Sequence, residues 1–212
     1  MNNNTFPLVL SSPSGGGKTT IKGEILKKDS RFGFSITATT RPKRENEING
    51  KDYYFVSDKE FDRMIENDEF IEWAKVHKYR YGTPKSSIMR LIEENKIPIM
   101  TIDVVGAMNI KKIFPSSVLV FVLPPSVDVM IDRLRKRGET EDEIKIRINT
   151  ALKELDYAEK FDYLVINDVL ERTVNDIISI IDVEFNKIFR RGNFIKEFKY
   201  NINKIIQDGG IR

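Results

Sequence analysis

The chain has no cysteine and a single histidine in 212 residues. Without cysteine there can be no disulfide, thiolate zinc site or cysteine nucleophile, and one histidine leaves little room for a histidine-based metal centre. Any bound metal is therefore expected on oxygen ligands. The one histidine, His77, reads as a surface or packing residue and not as a catalyst. Long apolar runs are missing too: nothing approaches the roughly 20 residues of a membrane span. Residues Met1 to Pro7 have neither the basic start nor the apolar stretch of a secretory signal, so the expectation is a cytoplasmic chain with no membrane partner. Charge of one sign is also lacking. The 35 basic and 32 acidic residues leave a net +3, too balanced to demand a nucleic-acid partner, and there is no basic stripe with interleaved aromatics.

What is present is the balance of a folded globule, 40% apolar and 32% charged residues, with no internal repeat and no low-complexity tract. Phe6 to Leu10 is a short apolar run that leads through a Ser/Gly-rich loop into Ile21, Ile25 and Leu26 at helical spacing. Ile97 to Ile102, Val118 to Leu123 and Tyr163 to Ile166 are further short apolar runs, each followed by a helical pattern. Alternating buried strands and crossover helices predict an α/β fold with a parallel sheet flanked by helices.

Two stretches break the alternation. Thr37 to Tyr81, with its Asn49-Gly50 turn and the β-prone Tyr53-Tyr54-Phe55-Val56, reads as an inserted β-rich lobe. Arg133 to Arg147 reads as helix, turn at Gly138, and helix, with a capping box predicted from Thr140 to Glu143; basic residues at such a bend suit a lid. The expected organisation is a core of residues 1–36 and 84–190 with a lid at about 133–147, a lobe of residues 37–83, and a C-terminal tail of residues 191–212. That tail starts amphipathic and helical and ends in Gly209-Gly210.

The loop Ser12-Pro13-Ser14-Gly15-Gly16-Gly17-Lys18-Thr19-Thr20 is most of a Walker A motif. Its glycines let backbone N–H groups turn onto phosphate oxygens, Lys18 reaches the β and γ phosphates, Thr19 is positioned to ligate Mg²⁺, and the following helix presents its positive dipole end. Ser12 stands where the motif has its first Gly, so it should keep negative φ or carry strain. A P-loop alone does not separate kinase, GTPase and ATPase. Asp103-Val104-Val105-Gly106 could pass for a GTPase D-x-x-G, but Asn95-Lys96, Asn186-Lys187 and Asn203-Lys204 all lack the Asp of a guanine-reading N-K-x-D.

The segment from Thr39-Thr40-Arg41-Pro42-Lys43-Arg44 through Asn49-Gly50-Lys51-Asp52-Tyr53-Tyr54-Phe55-Val56, followed by Phe70-Ile71-Glu72-Trp73 and Tyr81-Gly82-Thr83, resembles the guanylate kinase family. With the P-loop, the resemblance runs through about Glu171. It implies a P-loop core, a GMP-binding lobe and a lid, with ATP and GMP as substrates and Mg²⁺ accompanying ATP. It places Arg41, Arg44, Tyr53 and Tyr81 on the GMP phosphate, and Thr37, Glu72, Thr83 and Asp103 on guanine. Arg133, Arg137 and Arg147 belong to the lid, and Asn167 to an adenine-side loop. Guanidinium forks and phenolic donors suit a dianionic phosphate, and a carboxylate at Glu72 accepts from guanine N1–H and the 2-amino group in a way that adenine does not match. Lys18, Arg41, Arg137 and Arg147 are the expected transition-state groups for direct in-line transfer. The chain departs from the family pattern at Thr101 and Val105, where Asp and Gln are usual, and at Asn46 and Pro42. The rival readings are a different kinase on this scaffold and a non-catalytic binding module; the latter can dispense with the phosphate-binding lysine, which is present here as Lys18. Either a monomer or a homodimer is expected.

Overall fold

The computed structural model describes residues 5–76 and 78–207; His77 and Gly209-Gly210 lie outside them. The chain begins with β1 (Leu8–Ser11), wholly buried, and passes through the Gly-rich loop into α1 (Lys18–Lys28). β2 (Phe32–Phe34) follows. The sequence does not announce it, because three residues carry too little periodicity to register as a strand. The lobe comes next: β3 (Ala38–Thr39), β4 (Tyr54–Phe55), α2 (Asp58–Glu66), β5 (Phe70–Val76) and β6 (Tyr79–Pro84). The chain then returns to the core with α3 (Lys85–Glu93), β7 (Ile97–Thr101), α4 (Val104–Ile113), β8 (Val118–Leu123), α5 (Val127–Arg135), α6 (Glu141–Leu155), β9 (Tyr163–Ile166), α7 (Leu170–Phe185) and α8 (Gly192–Gln207).

The core sheet is parallel, in the order β2-β7-β1-β8-β9. Its strands read as continuous apolar runs because both faces are covered. On one face Leu8, Leu10, Val120, Val122 and Val165 pack against Ile21 and Ile25 of α1 and Val174, Ile177 and Ile181 of α7; on the other, Val9, Met100 and Leu119 pack against Ile88 of α3 and Ala107 and Ile110 of α4. β1 lies at the centre, so the loop after its carboxyl end opens at the point where parallel α/β sheets hold their ligands.

The lobe is a second sheet, β4-β3-β6-β5, with α2 packed on it through Phe61 and Phe70, whose rings lie 4.6 Å apart. α2 starts at Ser57, whose hydroxyl accepts from Glu60 N. At the bend between α5 and α6, Gly138 takes φ 81°, and Thr140 and Glu143 form both halves of the capping box that the sequence predicts. Among the described residues no helix is long and apolar enough to cross a membrane.

Candidate active site

The Gly-rich loop is held open by its own backbone and by two outside clamps. Gly15 and Gly17 take φ 84° and 99°, whereas Ser12 is not among the left-handed residues, so Ser12 keeps negative φ and the strain that was its alternative does not arise. Gly17 caps α1 without any side-chain bond, leaving the first N–H groups of the helix pointing into the loop. Asn167 Nδ2 donates to Gly16 O at 2.8 Å, and Arg133 donates to Gly15 O at 3.2 Å and to Asn167 O at 3.0 Å. A Cβ on Gly17 would stand 2.3 Å from Asn167 Nδ2. Arg133 and Asn167, expected from the sequence to meet ligand, brace the loop in this structure. With Thr20 and Arg137 they line a groove of about 310 Å³. Thr19 is exposed in the first turn of α1, and its hydroxyl has no hydrogen-bond partner among the described residues.

Lys18 Nζ donates to Ser12 O at 2.6 Å and to Ser12 Oγ at 3.0 Å, folded back across the loop. Burial pulls its pKa below the usual lysine value, opposed by the carboxylates of Glu154 and Asp103. Facing Lys18 across a cavity of about 150 Å³ are Thr37, Tyr53, Glu72 and Asp103. Glu72, on β5, is only 8% exposed and accepts a 2.7 Å bond from Thr83 Oγ1 on β6. Burial pushes its carboxyl up to about 7; the Thr83 bond opposes that shift and repulsion from Asp103 adds to it. Thr83 itself is fully buried, so here it serves Glu72 and does not line the cavity. Asp103 caps α4, its Oδ1 accepting from Val105 N at 2.8 Å and Gly106 N at 2.9 Å. A Cβ on Gly106 would meet Glu72 Oε2 at 3.0 Å, so glycine there gives the carboxylate room.

The arginines meet elsewhere. Arg41 and Arg44 from the β-rich lobe, Arg137 after α5 and Arg147 of α6 line one cavity of about 520 Å³, together with Ser14 and Tyr81. Ser14, Tyr81 and Arg147 also line the cavity of Lys18 and Glu72, so the two spaces adjoin. Arg41 is tied to Glu47 Oε1 at 2.6 Å and lies over the Tyr53 ring, 5.3 Å from its centroid; Tyr53 in turn meets Tyr81 edge-on at 6.2 Å. Glu47 Oε2 also accepts from Arg44 N at 2.8 Å, which closes the turn that follows Pro42. Burial alone would raise the Glu47 carboxyl, but the bonds from Arg41 and the Arg44 backbone hold it below its usual value. On α6, Arg147 Nε donates to Glu139 Oε2 at 3.3 Å.

Pro13 and Gly16 shape the loop without lining any of these spaces. The other candidates gather at the mouth of β1, drawn from the loop, lobe, β7–α4 turn and the α5–α6 region. Sequence reasoning missed Glu47, Glu139 and Glu154. Glu154 lies two turns after Arg147 on α6, lines the Lys18 cavity, and has a buried Oε2 without a partner among the described residues. Its helical spacing from Arg147 was the available signal; Glu47 had none, because a loop carboxylate finds its partner only through tertiary placement.

A family model described as guanylate kinase matches residues 4–184. The chain is 45% identical over 184 residues to a guanylate kinase of Caldanaerobacter subterraneus subsp. tengcongensis, covering 86% of this chain and 89% of that protein. It is 41% identical over 195 residues to a guanylate kinase of Thermotoga maritima, covering 92% and 94% of the two. The crystal structure of guanylate kinase from Anaplasma phagocytophilum superposes with a TM-score of 0.73 at 32% identity, covering 88% of this chain and 89% of that one.

Proposed function

The chain belongs to the guanylate kinase family, and from that premise we propose how its residues carry ATP-dependent phosphorylation of GMP. It is a nucleoside monophosphate kinase that transfers the γ-phosphoryl group of ATP to GMP. The observation that carries the assignment of roles is the pair of adjoining cavities, one joining the P-loop lysine to a buried carboxylate and the other lined by Arg41, Arg44, Arg137 and Arg147.

In this reading the guanine edge sits against Glu72, with N1–H and the 2-amino group donating to the carboxylate and with Thr37 and Asp103 beside it. The GMP phosphate takes Arg41, Arg44, Tyr53 and Tyr81, displacing part of the Arg41–Glu47 pairing. The ATP phosphates lie on the backbone N–H groups of Ser14 to Thr20, Lys18 leaves Ser12 for a phosphate oxygen, and the adenine side lies along Arg133 and Asn167. Arg137 and Arg147 neutralise charge on the transferring group once the lid arrives. The acceptor phosphate is already nucleophilic, so no general base is assigned. Water is excluded by closure of the lobe and lid over the site.

Mg²⁺ fits the loop through Thr19, whose exposed hydroxyl stands uncommitted in the first turn of α1. Among the described residues no three acidic or histidine side chains gather as a metal cage, which suits an ion held mainly by phosphate oxygens and water. Such an ion supplies charge neutralisation on the phosphates.

The test is a coupled assay of ADP formation with MgATP and each of GMP, AMP, CMP and UMP. GMP-dependent turnover that is lost in Lys18→Ala and weakened for GMP in Glu72→Gln is the expected result. Equal turnover with AMP would remove Glu72 from the role of base reader.

A further inference from the structure

The C-terminal helix α8 takes no part in the site. It places Phe194, Ile195, Phe198, Ile202, Ile205 and Ile206 along one face, at the i, i+4 and i+8 spacing of a core-facing stripe. None of its residues is buried, and Phe198 and Ile206 are 60% and 69% exposed. A lone 16-residue helix is marginal in water, so this face requires a surface to cover it. The root of the helix is fixed. Arg190 donates to Glu184 Oε2 at 2.9 Å and to Ser116 O at 2.8 Å, and its guanidinium lies 3.6 Å from the centroid of the Phe6 ring. Only Arg191 separates this anchor from α8, which leaves little chain for turning the helix back onto its own body.

The same chain carries an uncovered groove. β9 is an edge strand of the core sheet, and a groove of about 550 Å³ runs between it and the outer face of α7. Leu164, Ile166 and Val183 line it and are 59%, 43% and 60% exposed. Its rim carries Asp168, paired with Arg172 at 3.0 Å, and Asp176, which has no basic partner among the described residues. α8 carries Lys196, Lys199 and Lys204 against a single acidic residue, Glu197. An apolar ridge flanked by lysines thus matches an apolar edge groove whose rim keeps one uncompensated carboxylate, Asp176.

We infer that α8 of one copy docks in the β9–α7 groove of a second copy, and that the exchange is reciprocal about a two-fold axis. Reciprocity forms each helix–groove contact twice, as closed two-fold interfaces require, and covers a sheet edge that would otherwise be open to indiscriminate pairing. A basic amphipathic helix could instead lie on an anionic membrane, but that leaves the groove uncovered. A second copy accounts for both surfaces.

The experiment is sedimentation velocity on the full chain over a range of concentrations, at low and high salt, with GMP kinase activity measured on every variant as a check of folding. Dimers are expected. Phe198→Glu on the helix and Val183→Glu in the groove should each weaken association on the order of 10-fold or more with unchanged turnover, and Asp176→Lys should weaken it and reduce its dependence on salt. Mixing Phe198→Glu with Val183→Glu should restore a dimer, because one intact helix still meets one intact groove. A chain that stays monomeric at every concentration overturns the inference. So does a dimer indifferent to Phe198→Glu and Asp176→Lys, or a monomer that pellets with phosphatidylserine vesicles and ceases to do so in Phe198→Glu.

Discussion

Thr83 Oγ1 reaches across from β6 to donate a 2.7 Å hydrogen bond to Glu72 Oε1 on β5, the only side-chain bond that Glu72 receives among the described residues. The two lie opposite each other in the lobe sheet, so this bond sets the orientation of the carboxylate. Burial has already pushed that carboxyl from its usual 4.5 up to about 7, which makes the protonation of Glu72 a variable of the working range.

In the proposed role Glu72 must be ionised to accept from guanine's donors, whereas burial favours the neutral acid as pH falls below about 7. The KM for GMP should therefore rise as pH falls through 7, by about tenfold per pH unit at the limit, and level off above it. Glu72→Gln should give a flat and weaker profile, and Thr83→Val, which removes the bond opposing the upward shift, should move the inflection to higher pH. The sign for stability is the reverse: the GMP-free fold gains from the raised pKa at low pH and loses that contribution as pH rises through about 7. Steady-state kinetics and thermal melts across this range check both signs.

Arg41 reaches its place through Glu47, and both side chains are largely shielded from water. Glu47→Ala should release the Arg41 fork and open the turn at Arg44, raising the KM for GMP by roughly 10- to 100-fold, the scale of a charge-assisted hydrogen bond, with a smaller change in kcat. A drop in kcat with unchanged KM would count against Glu47 as an organiser of the phosphate site.

Arg137 sits at the rim shared by the arginine cavity and the groove beside the Gly-rich loop. Arg137→Ala should lower kcat by about 10²- to 10³-fold, the range typical of removing one preorganised group that stabilises transition-state charge, while GMP binding measured by calorimetry changes little. Comparable losses in turnover and in GMP affinity would argue for a ground-state contact.

Gly17 combines φ 99° with a Cβ position 2.3 Å from Asn167 Nδ2. Gly17→Ala adds left-handed strain of about 1–2 kcal/mol to a displaced Asn167 clamp, and should lower Tm by several degrees, at about 2–4 °C per kcal/mol for a chain of this size, as well as abolish turnover. Calorimetry and the coupled assay read the two effects separately.

Much of the fold is legible in the chain itself. The runs Val118 to Leu123 and Tyr163 to Ile166 are strands with those same bounds, and Thr140 caps α6 as its spacing to Glu143 requires. These features rest on local causes: strands buried on both faces must be apolar throughout, and a capping box is closed by residues three apart. α2 is not legible in the same way, because the Asp58–Glu66 segment sits in a stretch dominated by β-prone residues and polar turns, and its helical face is revealed only by Phe61 packing on Phe70.

The sequence by itself determined the α/β alternation, the Gly-rich loop and the residue types of the candidate site, because strand burial, glycine-dependent turns and ordered motifs are written within short spans of chain. Only the tertiary structure decided that Glu47 would hold Arg41, that Thr83 would sit behind Glu72 and not beside it in the cavity, that Asn167 and Arg133 would brace the loop, and that Glu154 would bring to the Lys18 cavity a buried oxygen with no partner among the described residues. The reason is electrostatic. The ionisation of a carboxylate and the reach of a guanidinium depend on burial and on neighbours from other elements, and these exist only after the lobe, lid and core have packed together.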